Sequence, residues 1–176
     1  MQTKAQNLHV VATVASLDVD ALFEQFAPYV ARIGLRILGR REELDDYVQD
    51  VFLEVHKSRD GLRDEAVVKG WIAGIAVNVA RRRLRRRKLK ARFFLDQPPP
   101  YLETASSDAS PEQRLLIARI YAALDRLSVD ERLAWSLRHL EGERLDEVAL
   151  LCECSLATAK RRIASAHDAL REVIDG

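Results

Sequence analysis

Apolar residues recur every three to four positions along most of this chain, the period at which side chains share one face of an α-helix. After Asp20, the residues Phe26, Val30, Ile33 and Ile37 keep that spacing, with Pro28 near enough to the start to be tolerated or to kink the helix. Leu44, Val48, Val51 and Val55 predict a second helix with Phe52 beside its stripe, and a third runs from about Asp64 through Val68, Ile72, Ile75 and Val79 into a run of arginines. Later, Pro111 stands at an N1-like position ahead of Leu116, Ile120 and Leu124, and Ser128-Val-Asp-Glu131 spells a capping box for a helix ending near Gly142. Two shorter helical patterns follow, Leu145 to Cys152 and Leu156 to Val173, with Ser155 placed to cap the second.

The breaks in this pattern divide the chain. Residues 1–17 carry no sustained period or charge pattern and predict a loosely held extension. The stretch FFLDQPPPYLETASSDASP, from Phe93 to Pro111, cannot continue a helix through its three consecutive prolines. The expected organisation is therefore a helical block over 18–92, a flexible linker over 93–110 and a second helical block over 111–176. With 176 residues, 48% of them apolar, the chain can bury one ordinary core or two small ones. Seven Gly, five Pro and 6% aromatic residues argue against a β-sandwich, so the expected class is all-α: two small helical domains, the second ending in a helix-turn-helix.

Charge changes the picture more than composition does. The formal net charge is only +1, from 28 basic and 27 acidic residues, but nine basic residues and no acidic one lie between Arg81 and Arg92. The rest of the chain thus carries 19 basic against 27 acidic residues, a net −8, and the molecule is polarised. Cys152 and Cys154 are too close for an unstrained disulfide and lack partner ligands for zinc, which points to a reducing compartment. No apolar run reaches the roughly 18 residues of a membrane span, and the stretch 8–17 is a poor signal-peptide match because His9 and Thr13 interrupt it. A cytoplasmic protein without membrane insertion is expected.

Three helical faces carry candidate chemistry. Near the C-terminus, a helix of about eight residues, a turn at Glu153-Cys154 and a helix capped by Ser155 have the proportions of a DNA-binding helix-turn-helix. Leu156, Ala159, Ile163, Ala166 and Leu170 form its buried stripe, and Ala157, Thr158, Arg161 and Ser165 point the other way. Small residues would admit the backbone to a major groove, Arg161 would reach a guanine edge, and Lys160 and Arg162 suit phosphates. An ordinary helical hairpin with a solvated basic face has the same spacing.

On the second helix six acidic residues fall between Glu42 and Glu54, and Leu53 projects among Asp46, Gln49 and Asp50 rather than into the core. That arrangement is either a solvated face or a docking spot for a basic helical partner. On the third helix Trp71, Gly74, Asn78, Arg81 and Arg85 share a stripe outside the core, with Arg82 beside it. A ring, an amide and guanidiniums are what a site for unstacked bases uses. The competing reading has Trp71 roofing the core, the arginines solvated, and Gly74 admitting a neighbouring helix instead of a base. His9, His56, His139 and His167 are scattered, no Gly-rich phosphate loop occurs and neither cysteine has a base nearby, so catalysis, cofactor and metal are not expected.

Taken in order, these features resemble the bacterial sigma factors of extracytoplasmic-function (ECF) type, in the sigma-70 family. LDDYVQDVFLEV, from Leu44, looks like the family's core-polymerase-binding segment; GWIAGIAVNVARRRLRRR, from Gly70, like its promoter-melting helix; and LDEVALLCECSLATAKRRIASAHDAL, from Leu145, like its upstream-element reader. The resemblance implies that Asp46, Gln49, Asp50, Phe52 and Leu53 contact the coiled coil of the largest core RNA polymerase subunit. It implies that Asn78 and neighbouring arginines hold single-stranded bases of the downstream promoter element. It implies that the helix from Ser155, with Thr158, Lys160 and Arg162 at characteristic positions, enters duplex promoter DNA, and that an anti-sigma factor is the regulator. The turn carries Glu153 where the family commonly has glycine, and Ser128 stands where a proline is frequent. A stand-alone helix-turn-helix regulator and a helical adaptor binding RNA or protein are the alternatives.

Overall fold

A computed structural model describes residues 18–58, 67–93, 101 and 108–174. Among them the chain forms α1 (Val19–Leu38), a short 3-10 turn (Arg41–Glu43), α2 (Leu44–Ser58), α3 (Val68–Phe93), α4 (Pro111–Leu124), α5 (Val129–His139), α6 (Leu145–Leu151) and α7 (Leu156–Ile174), with no strand. The all-α class and the order of the elements follow the sequence pattern. The expected extension over 1–17, the start of the third helix near Asp64 and most of the linker lie outside the described residues.

Local chemistry explains the element ends. Asp18 caps α1 by accepting from the Asp20 N–H at 3.0 Å, and Gly39 ends it at φ +70°, its N–H bonded to the Leu35 carbonyl at 2.8 Å. The helix continues through Pro28. Complete capping boxes open α4, between Ser110 and Gln113, and α5, between Ser128 and Glu131. In α4, Ile120 and Leu124 face the core as the spacing predicts, but Leu116 is 42% exposed, and Ile117 and Tyr121 complete the stripe in its place.

The first block closes where α1, α2 and α3 meet. Tyr47 of α2 is fully buried, donates its hydroxyl to the Ala76 carbonyl of α3 at 2.8 Å and lies against Gly34 of α1, where a Cβ would come within 2.4 Å of the ring. Gly34 is therefore a close-approach glycine that the spacing of apolar residues did not reveal. Gly74 is the opposite case, because a Cβ there meets nothing within 4 Å. No neighbouring helix among the described residues requires that gap.

The two blocks are packed on each other, with a continuous core running from Val30, Ile33 and Ile72 to Leu133, Leu137 and Val148. Arg132 of α5, 1% exposed, reaches the end of α1, donating to the carbonyls of Ile37 at 2.9 Å and Leu38 at 3.0 Å while pairing with Asp125 at 2.5 Å. Those carbonyls stand at the negative end of the helix dipole, where orphan acceptors need donors. Tyr121 adds its hydroxyl to the carbonyls of Arg36 at 3.0 Å and Leu35 at 3.2 Å, and Glu141 pairs with both Arg32 and Arg36 at 2.7 Å. Tyr101, in the segment read as a flexible linker, is buried and stacks on Tyr121 with ring centroids 5.3 Å apart. The connection between the blocks thus contains an anchored aromatic residue.

Candidate polymerase and nucleic-acid interfaces

The acidic face of α2 is open. Asp46 and Gln49 are exposed, and Leu53 is 56% exposed although it is a large apolar residue. Asp50 is tied to Arg83 of α3 at 2.5 Å, so its charge is partly neutralised. Phe52 does not belong on this surface: it is 6% exposed and packs edge-to-face on Phe23, centroids 4.8 Å apart. The physical reason is the helical period, which places Phe52 four residues after buried Val48 and turns its ring inward. Nearby, Glu43 binds Arg87 at 2.7 Å. Burial pushes its carboxyl up, but the hydrogen bond and charge of Arg87, with Arg40 and Arg83, outweigh that and hold it below the ordinary carboxylate value.

The basic end of α3 divides by partner. Arg85 is exposed, and Arg82 is exposed with only a loose approach of 3.8 Å to Glu54. Arg81 is not the free clamp that the sequence pattern implied. It is 8% exposed, donates to the Cys152 carbonyl at 3.1 Å and to Asn78 Oδ1 at 2.5 Å, and lies 3.7 Å from Asp130. Asn78 donates through Nδ2 to Glu153 at 2.8 Å. Trp71 is half-buried against the core beside the open face of Gly74. The helix-packing reading of Gly74 therefore has no partner among the described residues.

The turn between α6 and α7 is closed by a Schellman motif. The Glu153 N–H bonds the Leu150 carbonyl and the Cys154 N–H bonds the Ala149 carbonyl, both at 3.0 Å, with Glu153 at φ +54°. Ser155 then caps α7, accepting from the Thr158 N–H at 3.2 Å and donating to the Thr158 hydroxyl at 3.0 Å. Ala157, Lys160 and Arg161 project from the first turns into solvent. Arg162 does not join them: it is half-buried and pairs with Asp130 of α5 at 3.2 Å, and Ser165 donates to Glu131 at 2.7 Å. Arg162 faces the start of α5 because it lies 100° round the helix from Arg161, whereas Ser165, four residues after Arg161, stays exposed on the same stripe. The Cys152 thiol is pushed up to about 11, chiefly by burial and next by Cys154, so it stays protonated near neutral pH.

Sequence reasoning missed the residues that join the blocks, namely Arg132, Tyr121, Tyr101 and Glu141. For Arg132 a signal was present, since it lies four residues before Ser136 and three before Trp135 on the buried side of α5. A charged residue on that side needs internal partners.

Residues 22–90, covering most of α1 to α3, match Sigma-70 region 2, and residues 117–170, covering most of α4 to α7, match Sigma-70, region 4. The chain is 23% identical over 194 residues to the RNA polymerase sigma-H factor of Pseudomonas aeruginosa, an alignment spanning 99% of this chain and 96% of that protein. It is 29% identical over 160 residues to the ECF RNA polymerase sigma factor SigE of Mycolicibacterium smegmatis, spanning 88% of this chain and 61% of that one. In fold it is similar to the sigma factor RpoE solved with the anti-sigma factor NepR from Bartonella quintana, with a TM-score of 0.63 at 20% identity over 89% of this chain and 96% of that one. It is also similar to CnrH solved with the cytosolic domain of CnrY, with a TM-score of 0.60 at 22% identity, covering 89% and 87% of the two chains. The chain belongs to the sigma-70 family and within it to the ECF sigma factors. It is an RNA polymerase sigma factor, a non-enzymatic protein of transcription initiation, which removes the stand-alone regulator and the adaptor. No helix among the described residues is long and apolar enough to cross a membrane, and among them no cluster of His, Cys, Asp or Glu could hold a metal ion.

Proposed function

We propose that this sigma factor divides its work among three surfaces. Asp46, Gln49, Asp50 and Leu53 on α2 meet core RNA polymerase. Trp71, Asn78, Arg82 and Arg85 on α3, joined by Arg81 once it is released, take unpaired bases and phosphates of the downstream promoter element. Ser155 and Thr158 shape the start of α7, and Ala157, Lys160 and Arg161 enter the duplex at the upstream element, with Arg161 on a base edge and Lys160 on phosphate. The observation that carries this reading is that Leu53, an exposed apolar residue, stands among exposed carboxylates on α2 while Arg82 and Arg85 of α3 and Lys160 and Arg161 of α7 are also exposed.

The division has a physical basis. Trp71 and Asn78 cannot reach a base stacked inside a duplex, so their contribution belongs to opened DNA, whereas an exposed helix with small leading residues fits a closed major groove. The site of action is the cytoplasm, where core polymerase and promoter meet. Both solved relatives are held by another protein, RpoE by an anti-sigma factor and CnrH by the cytosolic domain of CnrY, and this supports an anti-sigma factor as the regulator here.

The test is permanganate footprinting of promoter opening by holoenzyme. Trp71→Ala and Asn78→Ala, each shown to be folded, should reduce opening more than closed-complex formation, and a pre-opened bubble should restore the part due to melting. Wild-type opening rates with wild-type bubble affinity in both variants would refute the assignment of α3. Separately, Asp46→Lys with Leu53→Ala should weaken core binding at unchanged stability.

A further inference from the structure

The turn of the helix-turn-helix contains an outlier. Glu153 is the one non-glycine residue with positive φ among the described residues, at +54°. A side chain in that region is sterically disfavoured, and the Schellman hydrogen bonds of the turn hold the backbone there. Here Glu153 Oε1 accepts from Asn78 Nδ2 at 2.8 Å, and Oε2 lies 3.9 Å from Arg81 Nη1. The other end of the Asn78 amide, Oδ1, accepts from Arg81 at 2.5 Å. Both ends of that amide are thus engaged inside the protein.

Asp130 extends the arrangement. One of its oxygens stands 3.7 Å from Arg81 and the other 3.2 Å from Arg162, so a single carboxylate faces a basic residue of each block. Arg81 completes its contacts at the Cys152 carbonyl in the same turn.

We infer that Glu153, with Asp130, forms an intramolecular mask: carboxylate oxygens of the second block occupy Asn78 and Arg81 of the first where unpaired DNA would supply acceptors. The inference rests on the proposed role of Asn78 in base recognition. Glu153 takes an Nδ2 donor that a base edge would use, while the Oδ1 contact comes from Arg81 of the same helix, so the carboxylate of the second block and a base compete for this amide. The free chain then binds single-stranded DNA with an affinity reduced by the fraction of molecules in which the mask is open. Any partner that separates the turn of the second block from α3 exposes the reader, which couples separation of the two blocks to DNA binding.

Glu153→Gly tests this in the full chain, because glycine suits positive φ and removes the carboxylate without straining the turn. Binding of a fluorescent mixed-sequence single-stranded 12-mer at 0.1 M salt should tighten about three- to tenfold, the equivalent of one exposed charge-assisted hydrogen bond. Glu147→Gln, which removes an exposed carboxylate of α6, controls for general charge and should change binding less than twofold. In the Glu153→Gly background, Asn78→Ala should abolish the gain, and the Asn78 side-chain amide signals in NMR should shift on Glu153→Gly. Equal binding by Glu153→Gly and wild type, with Asn78→Ala still impairing both, overturns the mask and leaves base reading by Asn78 intact. If Asn78→Ala instead binds as its parent does in both backgrounds, base reading fails and the mask with it. Unshifted amide signals overturn the contact itself.

Discussion

Arg132→Ala should loosen the whole molecule although the residue lies far from any proposed DNA contact. The side chain is 1% exposed, and it joins α5 to the last carbonyls of α1 through two hydrogen bonds, at 2.9 and 3.0 Å. Hydrogen bonds from a charged donor contribute about 1.5–3 kcal/mol each. The Leu38 carbonyl keeps a second donor, Arg87 at 2.9 Å, so its loss is partial, whereas the Ile37 carbonyl loses the Arg132 donor outright. The pair with Asp125, whose side chain is 29% exposed, adds no more than about 1 kcal/mol. Together the loss is about 3–5 kcal/mol, the range found when one partner of a buried ionic network is removed. For a chain of this size that lowers Tm by about 6–20 °C. Calorimetry should show the drop, and the single transition of a shared core should broaden or split as the blocks unfold separately. Arg132→Lys keeps the charge but not the fork that spans two carbonyls, and should fall between the two. A Tm within about 2 °C of wild type for Arg132→Ala, with an unchanged transition, would refute the claim that this guanidinium joins the blocks.

Two glycines should respond oppositely to alanine: Gly34→Ala drives a methyl into the buried Tyr47 ring and costs about 1–3 kcal/mol, while Gly74→Ala meets open space and stabilises α3 by up to about 1 kcal/mol. Chemical denaturation of both variants checks the contrast. The folded Glu43 carboxyl titrates below its ordinary value of 4.5, so its stabilisation is complete above that pH and is lost as pH falls through the lower folded value. Glu43→Gln should accordingly flatten the acid limb of a Tm-against-pH curve and lower Tm at pH 7. On the upstream element, Arg161→Ala should relax preference at one base position by about 1–3 kcal/mol while Lys160→Ala weakens all sequences evenly, measured by competition binding with holoenzyme.

The helices, their caps at Ser128 and Ser155, the helix-turn-helix and the exposed Leu53 were legible in the chain because each depends on residues within a few positions of one another. Period, capping chemistry and the run of nine basic residues are local properties, and they were enough to bring out the family resemblance. What they did not determine was which member of a charged face stays free. Arg81, Arg82 and Arg85 look alike in the sequence, yet Arg81 is buried against Asp130 and the Cys152 carbonyl while Arg85 remains in solvent. Likewise Phe52 and Leu53 are adjacent, and one rotation of 100° sends the first into the core and leaves the second outside. The joining of the blocks through Arg132, Tyr121 and Tyr101 pairs residues about 20 to 95 positions apart. Such contacts are decided by how two amphipathic faces dock, since a buried guanidinium or hydroxyl takes whichever carbonyl the packed core brings within reach.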